Sequence, residues 1–166
     1  MAIETLAARL STTKGSFYWH FTNREALLVA ALRIWEQEHT EAVIKAVEEE
    51  PDPARRLRRL FATAVEVGTA DPTELTLLAS VADPLVGAAM RRVIARRISY
   101  IARLFTALGF RPSEARSRAL IAYTVYLGHL QLAHVTSDAL PDTAGAQERH
   151  LNDVLDALLS GSVRPV

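Results

Sequence analysis

LAARLSTTKGSFYWHFTNREALLVAAL, the sequence from Leu6 to Leu32, is the most informative part of this chain. Leu6 and Leu10 lie one helical turn apart, which gives the first short segment a single apolar stripe. The hydroxyl-rich residues Ser11 to Thr13 then favour a turn and a helix N-cap over a helix interior. A second helical segment follows over Lys14 to Phe21. The pattern predicts two short helices joined by a polar turn.

The two faces of the second short helix differ in chemistry. Phe17 and Phe21 share one face, which we expect to belong to a core. The other face carries small, cationic or hydrogen-bonding residues, namely Lys14, Gly15, Ser16, Tyr18 and His20. Such a face suits a helix that lies against phosphates and base edges with its N-terminus directed at the anion. These residues predict a helix-turn-helix that binds DNA.

This segment resembles the start of the TetR-type (tetracycline-repressor-like) bacterial transcription regulators. Their signature is roughly K-G-T/S-[hydrophobic]-Y-x-H-F, then a short capped turn and a long helix that opens with K/R-E-x-L. Residues 14–21, KGSFYWHF, match it position by position, and residues 24–27, REAL, match the opening of the long helix. The resemblance implies an all-α homodimer in which an effector bound in the helical core lowers the affinity for an operator.

Two features depart from that family pattern. Ser11-Thr12 stands where the family usually has Gly-Val, so the turn must form without glycine. The family also has a whole helix before the position of Leu6, where only Met1 to Thr5 precede it here. We therefore expect an incomplete helix-turn-helix. Two alternatives follow from this departure: the chain no longer reads DNA, or its true start lies upstream of Met1.

By carry-over, the resemblance assigns DNA contacts to the second short helix and its flanks. Residues near the N-terminus of that helix face base edges, and flanking donors bind phosphates and position the duplex. The candidates are Thr13, Lys14, Gly15, Ser16, Tyr18, His20 and Arg24. Trp19 is compatible with either face.

The composition argues against several other classes of protein. Hydrophobic residues make up 49% and charged residues 23% of the chain, as in an ordinary globular protein. With no apolar run of about 18 residues and no N-terminal signal pattern, we expect a cytoplasmic protein without membrane contact. Zero cysteines exclude disulfides and thiolate metal sites. The five histidines lack metal-ligand spacing and no catalytic motif is present, so we expect no metal, no cofactor and no enzymatic activity.

Helical periodicity continues along the chain, which predicts an all-α fold. Thr22 to Glu25 reads as a capping box, with Thr22 or Asn23 as cap, before a helix that runs to about Glu50. Because aspartate caps helices and proline suits their first turn, the three Asp-Pro pairs predict helices over 53–68, 72–82 and 84–108. Gly109 is placed to end the third of these in the left-handed conformation.

Two further helices, over 113–137 and 146–160, complete the expected architecture. We expect a truncated helix-turn-helix region over residues 1–23. An antiparallel helical effector-binding and dimerisation domain would then cover residues 24–166.

Large aromatic residues at helical spacing indicate the interior of the second domain. The simplest interpretation is a packed core. The resemblance implies instead a cavity for a small apolar or aromatic effector, with candidate lining residues Trp35, His39, Phe61, Tyr100, Phe105, Tyr123 and Tyr126. A buried tyrosine hydroxyl needs a hydrogen-bond partner, which a ligand could supply. By contrast, solvated faces are expected for the arginine clusters Arg55, Arg56, Arg58, Arg59, Arg91, Arg92, Arg96 and Arg97.

The segment 119–135, ALIAYTVYLGHLQLAHV, is apolar nearly all round, which is typical of a helix buried on every side. Glycine in mid-helix costs about 1 kcal/mol, so Gly128 suggests close approach of another backbone. The last helix adds an apolar stripe. Together they predict a homodimer through a four-helix interface at Leu127, Gly128, Gln131, His134, Leu151, Val154, Leu155 and Leu158. The alternative is a monomer in which both helices pack internally.

The sequence thus predicts a DNA-binding transcription regulator, most simply a repressor, whose partners are double-stranded operator DNA, a small effector and a second copy of itself. The alternative from another class is a ligand-binding or heterodimerising helical module that does not bind DNA. An α-helical enzyme using His39 or Tyr123 has no positive support in the sequence.

Overall fold

A computed structural model describes residues 14–160, apart from the side chains of Lys14, Phe17 and Ala144. This part of the chain contains α-helices and no strand, which confirms the all-α prediction. Helix α1 spans Lys14–His20 and α2 spans Arg24–Glu36, and a π-helical turn, Gln37–Glu41, leads into α3, Ala42–Glu48. The other helices are α4 (Pro53–Ala70), α5 (Thr73–Ala79), α6 (Pro84–Ala107), α7 (Pro112–Val135) and α8 (Ala144–Leu159), the last preceded by a short 3-10 turn, Ser137–Ala139.

Side-chain caps fix the starts of four of these helices, α2, α4, α6 and α8, the last through the Thr143 hydroxyl. The Oδ1 atom of Asn23 accepts from the Ala26 N–H at 2.8 Å, and that of Asp52 accepts from the Arg55 N–H at 2.7 Å. Asp83 accepts from two N–H groups at the start of α6. The cap of α2 is therefore Asn23 and not Thr22. This places alanine where a capping box needs glutamate, so the box predicted for this helix is a simple N-cap.

The second Asp-Pro pair behaves differently from the other two. Asp71 ends α4, and its Oδ1 atom accepts from the backbone N–H and the hydroxyl of Thr73, at 2.9 and 2.6 Å. Helix α5 therefore begins at Thr73, and it ends at Ala79, which makes it shorter than the predicted 72–82.

Gly109 ends α6 as predicted, with a φ of +93°. The Phe110 N–H donates to the Phe105 carbonyl at 3.2 Å, and the Gly109 N–H donates to the Thr106 carbonyl at 3.0 Å. This is the bonding pattern of a Schellman motif. The rings of Phe105 and Phe110 meet edge to face at 5.6 Å, which adds the apolar contact that usually accompanies the motif. The short connection folds α7 back against α6.

The helix predicted from residue 24 to about 50 is interrupted by the π-helical turn. The Ala42 N–H donates to the carbonyl of Gln37, one residue further back than in an α-helix. The extra residue rotates the side chains of α2 about the helix axis relative to those of α3. As a result Leu32 and Trp35 pack in one apolar cluster, whereas Val43 and Ile44 pack in another.

These two clusters form the core of the molecule. The larger one lies between α3, α4, α6, α7 and α8, and Gly68 of α4 lets α7 approach closely there. The smaller one joins Leu32 and Trp35 of α2 to the first half of α6, at Val86, Ala89, Met90 and Val93. Helix α6 contributes to both clusters and so connects α2 to the main core.

The outer face of α7 is open in the single chain. Leu120, Ile121, Leu132 and Val135 are exposed, with Val135 at 75% of its maximal area. A Cβ atom added at Gly128 would have nothing within 4 Å. The single chain covers the faces of this helix toward α4, α6 and α8, so burial on every side would require a second molecule.

Candidate functional site

Helix α1 presents the predicted DNA-contacting residues on a short exposed helix. Gly15, Ser16, Tyr18, His20 and Arg24 are all exposed. Thr13 lies outside the described residues, and for Lys14 only the backbone position, at the first residue of α1, is described. Trp19, which the sequence left on either face, is 86% exposed, the most exposed large hydrophobic side chain in the described part of the chain.

The connection from α1 to α2 is short. Three residues separate His20 from Arg24, and the Asn23 cap fixes the start of α2. Helix α2 then runs without a break into the π-helical turn. The π-helical turn and the connection to α1 are therefore the two ends of one continuous helical segment.

A small cavity of about 50 Å³ lies where that turn meets α3, α4, α6 and α7. Five of the seven residues predicted for an effector pocket line it, namely His39, Phe61, Tyr100, Tyr123 and Tyr126. The other two lie elsewhere. Trp35 is in the smaller core cluster, and Phe105 is in the main core against Phe110.

The rest of the cavity wall was not anticipated from the sequence. Thr40 of the π-helical turn and Arg97 of α6 supply polar groups, and the remaining lining is aliphatic: Val43, Ile44, Leu60, Ala64, Ile101 and Ala122. Most of the surface is therefore apolar, with its hydrogen-bonding groups concentrated around the Arg97 guanidinium.

Arg97 is the centre of a buried polar network. Its Nη1 atom lies 2.8 Å from both carboxylate oxygens of Glu74, and the two side chains are only 11% and 2% exposed. The guanidinium carbon also lies 5.6 Å from the centre of the Trp35 ring and 5.8 Å from that of Tyr126. The expectation that Arg97 lies on a solvated face is wrong. Burial acts to lower its pKa, but the Glu74 carboxylate together with Tyr126 and Tyr123 outweighs that effect and leaves the pKa raised.

Two cavity tyrosines complete the partners of Glu74. The Tyr126 hydroxyl donates to Glu74 at 2.8 Å and the Tyr123 hydroxyl at 3.4 Å. Burial and the neighbouring carboxylate both raise the pKa of each phenol, so both hydroxyls remain donors at neutral pH. Glu74 is thus a buried carboxylate that accepts from one guanidinium and two phenols.

The same guanidinium reaches the π-helical turn. Arg97 donates from Nε to the Thr40 hydroxyl at 2.9 Å and from Nη2 to the His39 carbonyl at 3.0 Å. The His39 imidazole stacks on Trp35, and its Nε2 atom lies 3.3 Å from Asp71. Helical regularity is often broken in this way where a site is built. One arginine therefore connects the cavity, α5 and the helix that leads to α1.

The helical repeat of α6 predicts that Arg97 is buried. The buried positions Val86, Met90, Val93, Ile101 and Leu104 follow a helical repeat along α6, and Arg97 occupies the place between Val93 and Ile101. A charged residue at a core position requires a buried partner. No comparable signal marks Glu74, because α5 is only seven residues long and its register is not evident from the sequence.

The residues predicted for a dimer interface are divided between core and surface. Leu155 and Leu158 lie in the core of the same chain, so they are not available to a second copy. Leu127, Leu151 and Val154 are half-buried against that core. Gly128, Gln131 and His134 lie toward the open side of α7, where Gln131 and His134 are exposed. An open groove of about 920 Å³ separates α8 from α4 and α7 and is lined in part by Leu151 and His129.

Comparison with protein families gives a match at the start of the chain. None of the helices described here is long and apolar enough to cross a membrane. Searches of curated proteins and of solved structures return no match to this chain. Residues 1–31, which include α1 and the first part of α2, match the family model described as bacterial regulatory proteins, tetR family. Over those residues this chain is similar to bacterial regulatory proteins of the tetR family.

Proposed function

We propose that this chain is a DNA-binding transcriptional repressor that is released from its operator by a small apolar or aromatic effector. The observation that carries the proposal is the continuity of α2. This helix starts three residues after α1 and ends in the π-helical turn whose residues His39 and Thr40 line the cavity. The segment that would contact DNA and the wall of the cavity are thus parts of one structural unit.

The small size of the cavity supports a specific mechanism. A void of about 50 Å³ holds a few water molecules, whereas an apolar cavity of about 150 Å³ is needed for a molecule as large as benzene. An effector would therefore bind only after side chains around the cavity move apart. Arg97 is bonded to the π-helical turn, so that displacement would shift α2 and with it α1. The effector and the operator then favour different states, which is a negative coupling between two sites.

A homodimer would provide two copies of α1 for a symmetric operator. The open face of α7 supports it. No Asp, Glu, Lys or Arg occurs between Ala119 and Val135, and the exposed residues include Leu120, Ile121, Leu132 and Val135. An uncharged apolar stripe of this kind suits a second copy of the same helix packed across a two-fold axis.

DNA binding is tested by fluorescence anisotropy with the labelled sequence upstream of this gene, at two salt concentrations. We expect saturable binding that weakens with salt, because each neutralised phosphate contributes about −0.9 to the slope of log K against log salt concentration. Lys14→Ala and Tyr18→Ala should weaken it. Arg116→Ala, which removes an exposed cation from α7, should leave it unchanged.

Absence of salt-dependent binding would contradict the regulator proposal for this polypeptide, and a ligand-binding dimer would become the better description. The dimer has its own test. Sedimentation equilibrium of Gly128→Arg should give a monomer, since the added side chain enters open space in the single chain but would clash across a dimer. An unchanged dimer of Gly128→Arg would place the interface elsewhere.

A further inference from the structure

The wall of the cavity is mostly apolar, with one charged group in the described part of the chain. Its walls are aliphatic and aromatic, and its one charged lining residue among those described is Arg97. We propose that the Arg97–Glu74 pair selects the effector as a neutral molecule with an apolar body and a single hydrogen-bond acceptor at one end. This inference rests on the proposed effector role of the cavity and adds the class of ligand that it takes.

Counting donors supports an acceptor on the ligand. An arginine side chain has five N–H groups. Nε donates to the Thr40 hydroxyl, Nη1 donates to both carboxylate oxygens of Glu74, and Nη2 donates to the His39 carbonyl. The one further acceptor that the described residues place near the guanidinium is the Tyr123 hydroxyl, which also donates to Glu74. A carbonyl or ether oxygen of a ligand would give the Nη2 group a better acceptor than this shared phenol oxygen, whereas a hydrocarbon would provide none.

The charge of the network argues for a neutral ligand. Arg97 and Glu74 already neutralise each other, and both tyrosine hydroxyls donate to the same carboxylate. A cationic ligand would meet the guanidinium and have no free carboxylate. An anionic ligand would add a second negative charge beside Glu74. Because a buried charge without a counterion is costly, both are disfavoured relative to a neutral acceptor.

Four probes of nearly equal size separate these possibilities, namely acetophenone, α-methylstyrene, 1-phenylethylammonium and benzoate. Acetophenone and α-methylstyrene have the same shape and differ only in an oxygen replaced by a methylene group. The cost of opening the cavity is common to them and cancels in the comparison. Dissociation constants are measured by NMR titration of the ¹⁵N-labelled protein, following the side-chain N–H signals of Trp35 and Arg97, which lie close together.

We expect acetophenone to bind roughly tenfold more tightly than α-methylstyrene, as one hydrogen bond from a charged donor provides. The ammonium and carboxylate probes should bind more weakly than acetophenone. In Arg97→Met/Glu74→Gln, which removes both charges and keeps an acceptor for Tyr126, the preference for the ketone should fall below about threefold. The matched control Arg92→Met/Glu36→Gln, in a more exposed arginine–glutamate pair between α6 and α2, should retain it.

Equal binding of acetophenone and α-methylstyrene to the unsubstituted protein would overturn the selection rule and leave the effector cavity intact. Tightest binding of either charged probe would also overturn it. If none of the four probes binds, the proposed effector cavity fails together with the selection rule. Because the main comparison uses the unsubstituted protein, it does not depend on the folding of any variant.

Discussion

The guanidinium of Arg97 donates to the backbone carbonyl of His39 across the gap between α6 and the π-helical turn, at 3.0 Å. It also donates to the hydroxyl of the next residue, Thr40. One side chain thus holds two consecutive residues of the turn that ends α2. The position of α2 and the conformation of Arg97 are consequently linked, and substitutions at either end of these bonds should have measurable effects.

The bond between Arg97 and Thr40 should contribute to stability. Thr40→Val keeps the shape of the side chain but leaves the Nε–H of a buried guanidinium without its acceptor. We expect the free energy of unfolding to fall by about 1–3 kcal/mol, the usual cost of an unsatisfied buried donor. Urea denaturation provides the measurement. Thr106→Val is the control, because that exposed hydroxyl bonds only to its own helix, and it should change stability by less than about 0.5 kcal/mol.

Removing one member of the buried ion pair should be far more damaging than removing both. Arg97→Met leaves the Glu74 carboxylate buried without its counterion, so we expect a loss of about 3–5 kcal/mol. Adding Glu74→Gln should restore most of that loss, because a neutral polar pair replaces a lone charge. Comparable losses in the single and double variants would show that the ion pair is not the source of the effect.

The exposed pair Arg92–Glu36 serves as the reference for that experiment. It joins α6 to α2 rather than to α5, and its arginine is 54% exposed. An ion pair in solvent contributes about 0–1 kcal/mol, so Arg92→Met should be nearly neutral.

Helix positions could be predicted from this sequence because their signals are local. Asn23, Asp52 and Asp83 cap helices through bonds to residues two or three positions away, and Gly109 ends one through its own backbone conformation. The apolar and aromatic lining of the cavity was likewise accessible, since large residues at helical spacing must share an interior. Five of those candidates do line one cavity.

The polar residues of the site could not be predicted from local sequence patterns. The π-helical turn at Gln37–Glu41 contains no proline or glycine from which it could be predicted. Its extra residue changes which side chains face the core. Composition alone groups Arg97 with the neighbouring arginines, although its position in the helical repeat of α6 makes it a buried residue. Its partner Glu74 comes from a short helix 23 residues away in sequence. Long-range pairing of this kind depends on how helices pack, which local patterns do not specify.

Close packing of α4 against α7 should be sensitive to a single methyl group. A Cβ atom at Gly68 would lie 2.8 Å from Leu130 Cδ2 and 2.9 Å from the hydroxyl of Tyr126. Gly68→Ala would gain up to about 1 kcal/mol in helix propensity, but overpacking costs about 1–3 kcal/mol, so we expect a net loss of stability. Gly145→Ala, at the start of α8 where the nearest atom is a flexible arginine terminus, is the control and should not destabilise. A Gly68→Ala protein as stable as the original would mean that the two helices separate without cost.

Acidification should weaken the contact between α7 and α8 through His129. Burial, and to a lesser extent the nearby charge of His150, lower the pKa of His129 below its ordinary value of 6.5. The two rings stack with their centres 6.5 Å apart. Because the unfolded chain then binds a proton more readily than the folded one, the free energy of unfolding should rise with pH up to about 6.5, and this stability should be lost as the pH falls below that value.

Urea denaturation between pH 5 and pH 8 measures how steeply the free energy of unfolding changes with pH. This slope should be shallower in His129→Gln, partly reduced in His150→Ala, and unaltered in His20→Gln, whose side chain is exposed on α1. A slope that survives His129→Gln would assign the proton uptake to other groups around the groove, where Arg58, Arg59, Glu66 and Glu148 also lie.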